Sequence, residues 1–134
     1  MEIFNSKIAG LLGGYSAITL GFVSLYKRDK NKVSEIEKVH ESIHREQWRE
    51  CFILLSPLFI LGDLWCFLPI LGFYIWYLVE YFISVIISSI KGDYMQHKSY
   101  RSISFEMEAY DKEGVVNYLS KRKSFAWVKY LGKI

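Results

Sequence analysis

The pentapeptide His40-Glu41-Ser42-Ile43-His44 constrains this chain more than any other feature, because two histidines four residues apart can act together only on a helix. That spacing turns both imidazoles to one face, where they reach a single ion at about 2.0–2.1 Å. The glutamate after the first histidine then points towards a water on that ion. Zinc lowers the pKa of such a water and polarises a peptide carbonyl, while the carboxylate takes the proton and delivers it to the leaving amine. Two of the chain's three histidines sit in this segment. The flanking sequence supplies the helix: Ser34 and Glu37 have capping-box spacing, and Ile36, Val39, Ile43 and Gln47 recur at helical period with His40 and His44 beside them. His40 and His44 are therefore candidate Zn2+ ligands and Glu41 the candidate catalytic base. The bland alternative is a helix whose histidines make only local hydrogen bonds.

The apolar residues are concentrated. Hydrophobic residues make up 51% of the chain and charged ones 23%, yet residues 52–90 contain only Asp63 and Glu80 as charged groups. Residues 70–90 are long enough, at about 1.5 Å per residue, to cross a bilayer core of about 30 Å. The more interrupted stretch 52–69 suits either a second crossing, which would give an apolar helical hairpin, or a re-entrant arm. A buried helix of a very apolar soluble core is the competing reading. Lysines and arginines crowd both flanks, and the net charge is +3, which favours an anionic membrane surface over nucleic acid as partner. The expectation is an integral protein of a bacterial inner membrane with its metal site on the cytoplasmic side. Glu80 and Asp63 should face protein, water or a cation.

Residues 1–134 read as one domain, mainly α with a small N-terminal β-hairpin. Residues 8–25 carry no charge and would serve as a membrane anchor by length. Their glycines, with Gly13-Gly14 as a turn before the β-branched and aromatic run 16–26, favour the hairpin instead. Residues 103–112 form a short Glu-bearing helix. Residues 118–134, where Lys121, Arg122, Lys123, Lys129 and Lys133 alternate with Phe125, Trp127 and Tyr130, suit an amphipathic helix at headgroup level. Cys51 and Cys66 lack CxxC spacing and read as buried thiols.

A catalytic zinc needs a third protein ligand and an open position. In Ser104-Phe105-Glu106-Met107-Glu108-Ala109-Tyr110, Glu106 precedes Ala109 by three. With the His-Glu-x-x-His segment, this E-x-x-A arrangement resembles the gluzincin metallopeptidases, whose second helix supplies a glutamate; thermolysin-like enzymes and the integral-membrane CAAX prenyl proteases share that plan. The resemblance implies His40, His44 and Glu106 as zinc ligands, Glu41 as general base and Glu108 as the second choice of third ligand. The family's next aspartate, which orients a ligand histidine, is replaced by Tyr110, with Asp111 one place later. Gln47 falls on the inward face, where a hydrogen bond to the site is one role and plain packing another. His97 lies in a polar loop and is left outside the site. The order of strand, HESIHREQ helix, apolar block, YRSISFEMEAY and RKSFAWVKY is similar to small bacterial and phage proteins regarded as metallopeptidases.

The leading expectation is a zinc peptidase acting at or near a membrane on a peptide or protein, with an edge strand around Thr19–Leu25 beside the active helix to pair with an extended substrate. The alternative is a non-enzymatic membrane protein, an adaptor or an envelope-perturbing factor, with a structural or vestigial metal site.

Overall fold

Residues 16–26, expected as one strand, fold back on themselves. The computed structural model describes residues 1–11, 15–92 and 96–133. In it β2 (Ala17–Leu20) and β3 (Val23–Tyr26) pair antiparallel, with Leu20 opposite Val23. The loop between them is Gly21-Phe22. Gly21 takes φ +61°, as the first loop residue of a II′ hairpin must, and a side chain there would be strained. The Gly13-Gly14 turn expected from sequence lies outside the described residues. β1 (Glu2–Ile3) adds in parallel to β3, giving the order β1-β3-β2, and the short α1 (Lys7–Leu11) follows it. β1 and β2 are therefore the edge strands, and Leu25, expected on the edge beside the active helix, belongs to the central strand β3.

Both arms of the capping box form at the start of α2 (Glu35–Leu55): the Ser34 hydroxyl accepts from the Glu37 N–H, and the Glu37 carboxylate accepts from the Ser34 N–H. Ile43 and Gln47 are fully buried, and Trp48 and Cys51 continue their stripe, whereas Ile36 is exposed. Pro57 cannot extend the helix, and the chain passes into two 3-10 turns, Ser56–Leu61 and Asp63–Phe67, separated by Gly62 at φ +66°. These turns stand where a second crossing helix was one expectation. Cys66, expected to be buried, is half-exposed, while Cys51 is buried.

α3 (Leu68–Ile90) presents Phe73, Tyr77, Glu80 and Ser84 inwards at helical spacing. The Glu80 carboxylate accepts from the Ser104 N–H at 2.9 Å and its hydroxyl at 2.6 Å, so a charge within the apolar run satisfies the first turn of α5 (Ser104–Lys112). The opposite face, with Ile75, Val79, Phe82, Ile86 and Ile90, is exposed. Residues Trp65–Ile90 form one helical stretch long and apolar enough to cross a membrane, and only 17% of its most apolar window is buried. The short α4 (Gln96–Arg101) leads from α3 to α5.

The core joins Trp48 and Cys51 of α2, Phe73 of α3, Ile103 and Phe105 at α5, and Trp127. The C-terminal segment is not the single amphipathic helix expected. It comprises α6 (Tyr118–Lys121) and a 3-10 turn (Ala126–Tyr130), with Phe125 at φ +57°. The reason lies in the buried Glu50 carboxylate of α2, which accepts from the Arg122 guanidinium, the Phe125 N–H at 2.8 Å and the Trp127 indole at 3.1 Å. A continuous helix would commit that backbone N–H elsewhere and turn Arg122 away.

Candidate metal centre

The four-residue spacing on α2 places His40 and His44 on one face, with their Nε2 atoms 3.1 Å apart. α5 brings Glu106 to the same point: its Oε2 lies 3.5 Å from His40 Nε2 and its Oε1 3.3 Å from His44 Nε2. One ligand atom from each of the three residues lies within 4.8 Å of the others. Tetrahedral bonds of about 2.0–2.1 Å would set ligand atoms ~3.3 Å apart, so these edges match a zinc-sized ion.

The far sides of both rings are engaged. His40 Nδ1 lies 2.7 Å from the Glu113 carboxylate, and His44 Nδ1 lies 2.7 Å from Gln47 Oε1. Both partners are acceptors, so each Nδ1 donates and each Nε2 is left to face its neighbours. Tyr77 and Tyr100 donate to Glu106 Oε1 at 2.9 and 2.7 Å, while Glu106 Oε2, fully buried, has no hydrogen-bond partner among the described residues. Convergence of two ring nitrogens and an orphaned carboxylate oxygen in a buried site calls for a positive charge. Without a metal, a proton serves. Burial opposes charge on His44, but the adjacent Glu106 carboxylate outweighs it and raises the imidazole to about 9. Burial likewise opposes the Glu106 carboxylate, yet His44 and His40 hold that group far below the usual range.

Glu41 lies on the neighbouring face of α2. Its carboxylate accepts from the Thr19 hydroxyl of β2 at 2.6 Å, which ties the α2 helix to the edge strand. Glu41, His44 and Glu106 line one cavity of about 360 Å³ with Ala17, Ile18 and Thr19 of β2. Its remaining wall is aromatic and apolar, with Tyr74, Tyr77, Leu78 and Tyr81 from α3 and Tyr15 and Tyr100 opposite.

The structure thus brings His40, Glu41, His44 and Glu106 together. Glu108, the second choice as ligand, is held elsewhere: Arg122 Nε and Tyr118 donate to its Oε1, and Gln47 and Arg122 to its Oε2. Tyr110 packs edge-on against the His40 ring, and Asp111 accepts instead from Tyr130. The carboxylate behind His40 is Glu113, which sequence reading missed although it follows Glu106 by two helical turns. Thr19 on Glu41 and the two tyrosines on Glu106 were also missed; no local spacing announces contacts between distant segments. The side chain of His97 lies outside the described residues.

No protein-family model, curated protein or solved structure matches the chain. The site therefore has to be interpreted from its own geometry.

Proposed function

We propose that the protein is a zinc-dependent peptidase that works at a membrane, with His40, His44 and Glu106 as metal ligands and Glu41 as general base. The observation that carries this reading is the meeting of two Nε2 atoms and the unpartnered Glu106 Oε2, each imidazole being held from behind by an acceptor. Three protein ligands beside an open cavity favour a catalytic centre over a structural one, which four protein ligands would close. When bound, zinc supplies a Lewis acid that polarises the scissile carbonyl and makes water nucleophilic near neutral pH.

The chain's own residues do the rest. Glu41, oriented by Thr19, accepts the proton of the attacking water and returns it to the departing amine. Among the described residues β2 pairs with β3 alone, so its other edge can take an extended peptide as a further strand. The tyrosine-rich wall offers room for an uncharged, apolar side chain. The exposed apolar face of α3 supports insertion in lipid, and the flanking lysines and arginines favour a centre on the cytoplasmic side of a bacterial inner membrane.

Elemental analysis of the protein purified at neutral pH tests the foundation. About one zinc per chain is expected, and failure to retain zinc after reloading at neutral pH sinks the proposal, because two neutral imidazoles and a carboxylate in this arrangement should bind it.

A further inference from the structure

Behind the metal centre lies a buried chain of polar contacts that the proposed reaction does not use. It starts at His44, whose Nδ1 meets Gln47 Oε1 at 2.7 Å. The other end of the Gln47 amide, Nε2, faces the Phe105 carbonyl at 3.0 Å and Glu108 Oε2 at 3.1 Å. Arg122 then grips Glu108 through Nε at 2.7 Å and NH2 at 3.1 Å, and reaches Glu50 with the remaining edge of its guanidinium. Gln47 and Glu108 are fully buried, and the Arg122 side chain is 4% exposed.

The chemistry of these groups fixes a direction. An amide has one accepting and one donating end, and the Gln47 end near α5 meets a carbonyl and a carboxylate, neither of which can donate. That end must be the NH2, so the oxygen must face His44. His44 Nδ1 must then carry a proton, which leaves Nε2 with the lone pair that a metal requires. A flipped Gln47 would put an NH2 against Nδ1, move the ring proton to Nε2 and block ligation.

We propose that Arg122, from the C-terminal segment, is a positioning residue for the metal centre: by holding the Glu108 carboxylate in place it sets the Gln47 amide, and through it the metal-binding tautomer of His44. This rests on the reading of His44 as a ligand. Arg122 touches neither the ligands nor the cavity, and its influence passes through one amide. The C-terminal segment is therefore part of the site although it supplies no ligand.

The test is a double-mutant cycle on zinc affinity, read by competition with a chromophoric chelator. Arg122→Lys keeps the charge but loses the fork that spans Glu50 and Glu108, so the buried pair is loosened without being stripped. In the wild-type background Arg122→Lys is expected to weaken zinc binding by up to about 10-fold, the lower end of the range for losing a ligand's direct outer partner, because it acts one step further out. Gln47→Met, which cannot hydrogen-bond to His44 in the same way, should weaken it at least as much. The double variant should be no weaker than Gln47→Met alone. A full additional loss in the double variant, or no loss from Arg122→Lys, overturns the inference. A second readout needs no metal: the His44 Nδ1–H resonance of the zinc-free protein should be slowly exchanging in wild type and fast in Arg122→Lys. Equal exchange in the two proteins overturns the inference even if the wild type proves to bind no zinc, a result that would separately end the peptidase reading.

Discussion

Glu41 and Glu106 are the same residue type in different surroundings, and substitution by glutamine separates the roles proposed for them. Glu41 is oriented by Thr19 beside the histidines, whereas Glu106 faces both imidazoles with one oxygen that has no partner among the described residues. Glu41→Gln is expected to keep zinc and fold while losing peptide cleavage by at least ~100-fold, the lower range for a general base. Full cleavage by that variant would refute the mechanism. Glu106→Gln should instead lower zinc content, measured on the same preparations, because it removes the anionic ligand. The raised value of His44 gives a pH signature as well. Its folded value of about 9 lies above the ordinary histidine value. The charged pair with Glu106 therefore contributes stability that is complete below about 6.5 and lost as pH rises through the folded value. Thermal unfolding of the metal-free protein should accordingly fall in midpoint across that interval. The zinc-loaded protein, where the ion takes the place of the proton, should not follow it.

At the scale of elements, α5 owes its placement to α3. Glu80 serves the free N–H of Ser104 from another helix, doing the work of a cap that Ile103, without a side-chain acceptor, cannot do. Two residues later the same helix presents Glu106 to the histidines. Glu80→Ala should cost about 1–2 kcal/mol in thermal or denaturant unfolding, as loss of a helix cap with a buried hydroxyl left bare. It should also lower zinc affinity, since the start of α5 is then less fixed. Glu80→Gln, which keeps an acceptor, should recover part of both losses; an Ala variant as stable as wild type would show that Ser104 needs no partner. The hairpin has a comparable role: the turn at Gly21 returns the chain so that Thr19 meets Glu41 and β2 is left at the edge beside the cavity.

For the whole molecule the decisive balance is between the inward and outward faces of α3. Its inward stripe carries the tyrosine, glutamate and serine that bond to α5 and its approach, and its outward face is a broad apolar surface. Exposure of that much hydrocarbon to water is unfavourable by about 25 cal/mol per Å², and under the proposed membrane reading lipid covers it. The protein is expected to sediment with membranes and to require detergent for extraction. Release into buffer by high salt alone would contradict this, because salt screens the basic flanks and leaves apolar burial intact.

Local signals in the sequence were enough to determine α2 and its capping box, the apolar α3, the Glu-bearing α5 and the pairing of His40 with His44. Helical period, cap chemistry and hydropathy act within a few residues, and that is why these features were legible. The same local view placed one strand where a hairpin forms and one amphipathic helix where Arg122 and Phe125 turn in to Glu50. It also left Glu106 and Glu108 as rival ligands. Only the tertiary structure separates them, because packing α5 against α2 and α3 turns Glu106 to the imidazoles and Glu108 to Arg122. Glu113, Thr19, Tyr77 and Tyr100 entered the site for the same reason: a buried polar group must find its partner wherever the fold brings one, and distance along the chain carries no trace of that choice.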